Sequence, residues 1–552
     1  MKRWLVVAVF LLGFLLRVVN LPSFPIGFTP DEASFGYDAY SLLKTGQDQW
    51  GNSLPLVFKS FGDYKSPLLG YLQVPFVAIL GLNKLSVRLP NAILGSFMVL
   101  AVYLMVSEMF RKHFEDSWKL GLAASILVAI SSWSVMLSRG AFEANLTTFF
   151  LPFGIWLFLL GLKKPKYFIY SAIIFGLNLF TYHSAKLVTP LVYISLLFFY
   201  RKEIKELGIK KILPSAAIFS LFILLTLYTF SLGAGSRVSE RSIYEGSLEE
   251  AAKIKIANIQ KGGSPILERL LHNKYQMTAL RFINNYKQYF SFKFLFSEGP
   301  RETTYGMLPG RGVLYWFELP FIIGIIISLL RRKEKILYLL LFWLLIGPIP
   351  AALSTGVGYS ANRAAVMMPF INILLALGAY ELFKFIQKQF DKKISKYLLI
   401  GYALVALFFV YGFVKSYFVD SPKVVAKGML YGNLEVAKWI NENAGGVNKI
   451  VVDKGISEPH IYFAFAEELD PKVYQGFAKT WDMGKADVNW VDQIPTYKLG
   501  RFTFQTVEKK KHAWESGTLY IGKDEIFPET LGRRETFLYP GGEKGISVVE
   551  IK

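Results

Sequence analysis

The 552-residue chain has no cysteine, which excludes disulfides and thiolate metal sites. Histidine is scarce, with five in all. Charged residues make up 19% of the chain, against about 25% in soluble proteins. There is no P-loop and no glycine-rich dinucleotide fingerprint, so no nucleotide site is read from the sequence. No internal repeat or low-complexity tract stands out.

Apolar and aromatic residues are abundant. The chain is 53% hydrophobic, with 47 Phe and 30 Tyr. The apolar residues come in runs near 4–21, 67–82, 88–110, 119–137, 144–162, 167–182, 187–200, 212–232, 313–330, 336–352, 364–383 and 397–417. Most approach the roughly 20 residues that cross a bilayer core. The first run follows Lys2-Arg3 and lacks a small-residue cleavage site, so it reads as an uncleaved first span with the N-terminus inside. A net charge of +21 suggests nucleic acid in a soluble protein. Here the basic residues sit in short loops between apolar runs, which points to membrane orientation and not to nucleic acid.

The positive-inside rule sets the topology. The basic loops are Arg111 to Lys119, Lys163 to Lys166, Arg201 to Lys211, Arg331 to Lys335 and Lys384 to Lys396. If every run crosses, all five fall opposite the N-terminus. If 67–82 does not, all five join it inside. That run carries Pro67 and Pro75 and suits a juxtamembrane helix. The expectation is an all-α polytopic membrane protein of about eleven transmembrane helices. Its module, 1–417, has outside loops at 22–87 and 233–312. The tail, 418–552, reads as a small extracytoplasmic α/β domain. It shows an amphipathic helix at Leu434 to Asn441 and strand-like pieces at Lys449 to Asp453, Thr518 to Ile521 and Gly545 to Ile551.

This topology brings polar residues to one outer level. Asp31 and Glu32 follow the first span. They are either a solvated pair or a base for an acceptor hydroxyl. Asp63 and Lys65 precede the juxtamembrane helix as turn residues or site residues. Arg88, Arg139 and Arg363 stand at outer helix ends, where arginine either snorkels or holds a phosphate. Arg301 and Arg311 are further phosphate candidates before a span. Glu143 enters an apolar span, a costly position unless it faces a polar cavity. His183, with Asp63 nearby in this layout, is a candidate ligand for a divalent metal, against a plain structural role.

Together, Asp31-Glu32 after the first span, Lys65-Ser66-Pro67, Arg88-Leu89-Pro90, and Arg139 to Glu143 resemble the GT-C membrane glycosyltransferases. The branch is that of protein O-mannosyltransferases and lipid A aminoarabinose transferases, and the resemblance covers about residues 1–380. It implies an inverting sugar transfer from a polyprenyl-phosphate-linked donor to a protein, lipid or glycan acceptor. It implies Asp31 as base and Lys65 and Arg88 toward the lipid phosphate. Tyr64 separates Asp63 from Lys65 where relatives keep an acid before Lys-Pro, and Glu143 stands where many carry Asp. The alternatives are a ligase or polymerase of lipid-linked glycans and a multi-span transporter or flippase.

The topology has a direct check. Impermeant labels placed in the tail and in the Arg111–Lys119 loop should react from opposite sides of the membrane; reaction of both from one side overturns the one-face arrangement.

Overall fold

The computed structural model describes residues 2–235, 242–300, 302–332, 334–355, 360–509 and 514–551. All twelve apolar runs contain helix. In chain order the first nine helices are α1 (Lys2–Val18), α2 (Pro30–Thr45), α3 (Leu68–Leu80), α4 (Lys84–Met109), α5 (Ser117–Ile130), α6 (Ser132–Ser138), α7 (Leu146–Gly161), α8 (Lys166–Asn178) and α9 (His183–Phe199).

Helix length limits which of them cross. Among the described residues six are long and apolar enough: Lys84–Met109, Glu143–Gly161, Leu213–Ala234, Lys335–Ala352, Ala365–Gln389 and Lys392–Val425. Two bent pairs raise the number to eight: α5 with α6, bent by 58°, and α9 with Arg201–Leu207, bent by 67°. The eleven expected spans are thus six to eight by this measure. The difference lies in α1, α8 and Leu319–Arg332, with 17, 13 and 14 residues. At 1.5 Å per residue the longest rises about 26 Å, short of a ~30 Å core. The run at 67–82 forms α3, 13 residues with Pro75 inside and Gly81 at its end.

The basic segments gather at one end. Lys2 Nζ lies 4.8 Å from the centre of the Trp118 ring. His113 Nδ1 meets Glu334 at 2.6 Å, and Phe114 packs edge-on against Tyr380. Arg111, Lys112, Lys163, Arg201, Lys202 and Lys335 line a single cavity. The charge argument requires this co-location.

The other end holds α2, a short hairpin and the tail. The hairpin pairs β1 (Phe58–Lys59) with β2 (Tyr64–Lys65). The tail forms a six-stranded sheet from β3 (Ile450–Asp453), β4 (Thr496–Leu499), β5 (Phe502–Gln505), β6 (Thr518–Lys523), β7 (Arg533–Leu538) and β8 (Lys544–Ile551). The strand order is β4-β5-β3-β6-β8-β7, with β3 parallel to β5 and β6 and the other pairs antiparallel. The central strand reads Ile-Val-Val-Asp and is buried throughout, as a β-branched run covered on both faces should be. Its alternation is clear: Ile450 and Val452 enter the large core shared with α2 and α3, whereas Val451 joins Tyr520, Phe527 and Val549 on the opposite face.

That shared core makes the tail continuous with the first loop. The Tyr462 hydroxyl donates to Phe28 O and the Tyr37 hydroxyl to Leu469 O, both at 2.8 Å. Lys84 pairs with Glu435 at 2.9 Å. Gly36 lets α2 sit between α4 and the tail. A Cβ there would lie 2.5 Å from Val87 Cγ2 and 2.9 Å from Phe465 Cε2. Gly36→Val should therefore loosen the tail at a cost of about 1–3 kcal/mol. Limited proteolysis in detergent should then release the tail faster than from wild type, while Gly445→Ala, in open space, should not change the rate. Equal protection of Gly36→Val and wild type would refute the close packing.

Candidate active site

The site begins at the first turn of α2. Thr29 caps the helix: its hydroxyl accepts from Glu32 N at 3.2 Å, and Glu32 Oε2 accepts from Thr29 N at 3.1 Å. Pro30 occupies the first helical position. The capping box turns two adjacent acids in different directions. Glu32 is fully buried, while the Asp31 side chain is 45% exposed.

Glu32 binds Arg88. Arg88 Nε donates to Glu32 Oε1 at 2.8 Å and Nη2 to Oε2 at 3.2 Å. Its remaining N–H groups go to the carbonyls of Leu21, Pro22, Pro25 and Gly27. Ala141 N adds a bond to Glu32 Oε1 at 3.1 Å. Expected as a phosphate ligand, Arg88 is instead turned inward, with every N–H committed to the protein. Glu32, expected beside Asp31 as a catalytic acid, is the counter-charge of that guanidinium. Arg139 is also buried. It donates to Leu16 O at 2.9 Å and Val19 O at 2.7 Å, beneath the rings of Tyr417 and Phe418. Arg17, which the sequence reading passed over, donates to Gly13 O, Val128 O, Ala129 O, Ser134 and Ser138. The cause is common to the three: a planar fork matches the free carbonyls of helix ends and turns.

Lys65 arrives on the hairpin. Its side chain is 1% exposed, sheathed by Phe35 and Phe61, and its Nζ lies 3.0 Å from Asp31 Oδ1. Lys65 therefore faces the acid, and Asp31 stands half in solvent with a buried cation behind it. Asp63, on the same hairpin, is nearly buried, with its carbonyl accepting from Ser60 N at 2.7 Å.

Tyr305 meets the Phe142 ring edge-on, next to Glu143 in the chain. Burial raises its phenol well above the usual range, and Tyr182, Glu302, Asp31 and Glu143 each push it the same way. Five polar groups from four chain segments thus share one field. Glu143 is buried on a short 3-10 turn, Glu143–Asn145. Asn91 holds the preceding turn through Leu137 O and Gly140 O, and Asn145 donates to Asn91 at 3.0 Å. Glu302 accepts from Ser360 Oγ at 2.9 Å; burial raises its carboxyl, and Arg363 opposes that rise. Half-buried Arg363 donates to Thr355 O at 2.7 Å. Arg311 lies over the Phe413 ring, and Arg301 falls outside the described residues. Tyr305 and Glu302 were missed from sequence; the signal was a polar Glu302-Thr-Thr-Tyr305 segment between two glycine turns.

The tail supplies the remaining wall. Val491 N donates to Phe61 O at 2.8 Å, and the Phe61 and His460 rings meet edge-on. Burial and the charges of Asp492, Asp31 and Asp63 raise the Glu458 carboxyl, with Lys65 opposing. Glu458, His460 and Asp492 form a compact group. The expected metal pair, Asp63 and His183, does not join a three-ligand group among the described residues. His183 opens α9 beside Tyr182, on another element.

Removing one partner from the buried Glu32–Arg88 pair strands the other charge, a loss of about 3–5 kcal/mol. Glu32→Ala should lower the melting temperature sharply, and Glu32→Leu combined with Arg88→Met should recover part of the loss. Purely additive losses in that double-mutant cycle would contradict the pairing.

Comparison with known proteins gives three results. The family model described as dolichyl-phosphate-mannose-protein mannosyltransferase matches residues 64–230, less than a third of the chain. No curated protein sequence matches significantly. Among solved structures, ArnT from Cupriavidus metallidurans in the apo state aligns over 99% of this chain and 97% of its own, at 10% identity and a TM-score of 0.51. The same protein bound to undecaprenyl phosphate gives 0.49 at 10% identity, with the same coverage. The Archaeoglobus fulgidus oligosaccharyltransferase gives 0.49 at 15% identity over 84% of this chain, which spans 61% of that protein's length. The chain is thus similar over residues 64–230 to the mannosyltransferase family model, and its fold is similar to that of ArnT.

Proposed function

We propose that this protein is an inverting glycosyltransferase. It moves a hexose or pentose from a polyprenyl-phosphate-linked donor to a hydroxyl of a protein, lipid or glycan acceptor at the outer membrane face. The observation that carries the reading is the Asp31–Lys65 pair: a half-exposed carboxylate held at 3.0 Å by a buried ammonium, in one field with Glu143, Tyr182, Glu302 and Tyr305. The family match names a dolichyl-phosphate sugar, which agrees with a lipid phosphate as leaving group.

In this mechanism Asp31 takes the acceptor proton as the oxygen attacks the anomeric carbon. The phosphate departs from the opposite face, so configuration inverts. Lys65 orients the base. Arg363 is the half-buried cation at the site with exposure to spare for the phosphate charge. Arg88 and Arg139 serve by holding the loops. Tyr305, Glu302 and Glu143 supply polar contacts for the sugar.

Asp31→Asn keeps shape and removes the base. Transfer from a polyprenyl-phosphate sugar in proteoliposomes should fall by about 10²–10⁴, with melting temperature and donor binding retained. Wild-type transfer by this variant would sink the proposal. The anomeric configuration of the product, read by NMR, should be opposite to that of the donor.

A further inference from the structure

The tail carries a group of ligand-type side chains that sugar transfer does not use. Glu458, His460 and Asp492 each offer one donor atom, and these atoms lie within 4.8 Å of one another. Among the described residues no other three His, Cys, Asp or Glu do so.

Acidic clusters at surfaces are common and bind nothing. This one is mostly buried, with Asp492 half-buried, and incompletely bonded. Glu458 is 8% exposed and His460 is 0% exposed. Glu458 Oε2 and His460 Nε2 are both buried without a hydrogen-bond partner. Buried polar atoms normally find partners, and a bare carboxylate oxygen is costly. The rest of the group is well braced. Asp492 Oδ1 accepts from the Tyr497 hydroxyl at 2.8 Å, and Asp492 Oδ2 accepts from Glu458 N at 2.6 Å. The same hydroxyl lies 3.1 Å from His460 Nδ1. Such supporting bonds orient metal ligands.

The place in the fold agrees. The 457–460 segment follows the carboxyl end of β3, and Asp492 precedes β4, whose start pairs with the carboxyl end of β5. Open sheets with parallel strands bind ligands in the crevice beyond those ends. Ser457 and Glu458 hold φ of 63° and 46°, left-handed values that non-glycine residues adopt at a cost. Backbone strain of this kind concentrates at functional sites.

We propose that Glu458, His460 and Asp492 bind a divalent transition-metal cation of the Zn²⁺ or Mn²⁺ type. Two carboxylates and one imidazole form a hard-to-borderline O/O/N set that suits such ions. The Phe61–Val491 contact and the packing of Gly62 against Asn489 and Trp490 hold the cluster against the hairpin that carries Lys65. The cation site stands on the tail's own residues and does not depend on the transfer reading.

The test uses the full chain in detergent micelles, stripped by chelator and then titrated with Zn²⁺ or Mn²⁺. Metal retained after desalting and the melting temperature are both read. One cation per chain and a raised melting temperature are expected. Glu458→Gln and Asp492→Asn should each weaken binding at least about tenfold. His272→Gln, at the separate His272–Glu268 pair, should not. Failure of the wild type to retain metal overturns the site, as does undiminished binding in both variants. Should either variant melt early in chelator, Mn²⁺ bound to the wild type must still show coupling to one imidazole nitrogen by pulsed EPR, and its absence overturns the assignment equally.

Discussion

The buried pair of Glu32 and Arg88 sets the geometry of the outer end. Neither charge has water to fall back on, so each holds the other and the groups around them in place. Through its other N–H groups Arg88 fixes the chain from Leu21 to Gly27, just before α2. Through Thr29, Glu32 fixes where α2 begins. Asp31, on the same turn, points away from Glu32 and pairs with the buried Lys65. The half-exposed Asp31 in the first turn of α2 is thus placed by a fully buried acid one residue away.

The same end joins chain segments that are far apart in sequence. The first outside loop and the tail share one core, and Tyr462, Tyr37 and Lys84 bond across the boundary. α2 packs on the tail's helix Pro459–Ala466 as well as on α3 and α4.

Much of this could be read from the sequence. Every apolar run contains helix, six to eight of the described helices are long and apolar enough to cross a membrane, and basic segments expected on one side gather at one end. The strand-like pieces at Lys449 to Asp453, Thr518 to Ile521 and Gly545 to Ile551 fall on β3, β6 and β8. The β4–β5 hairpin was missed although Thr496-Tyr-Lys-Leu and Phe502-Thr-Phe-Gln alternate around Gly500-Arg501. Arg88 and Arg139 are turned inward for a physical reason. Position at a helix end suits a snorkelling or phosphate-binding side chain, but the carbonyl partners of Arg88 lie more than sixty residues away. Glu458 and Asp492 were invisible for the same reason: 34 residues separate them, and only the sheet closes the distance.

The helix Lys392–Val425 joins the two ends: 6% of its most apolar window is buried, while Phe413, Tyr417 and Val425 toward its C-terminal end enter the core. At 34 residues it would extend about 51 Å if straight, more than the bilayer needs. Its lipid-facing side chains are interchangeable as long as they stay apolar. Its length is not, because each inserted residue advances the tail by about 1.5 Å and turns it by about 100°. The segment acts as a ruler: free to drift in composition, and held to one count of residues by the fit of the tail onto α2.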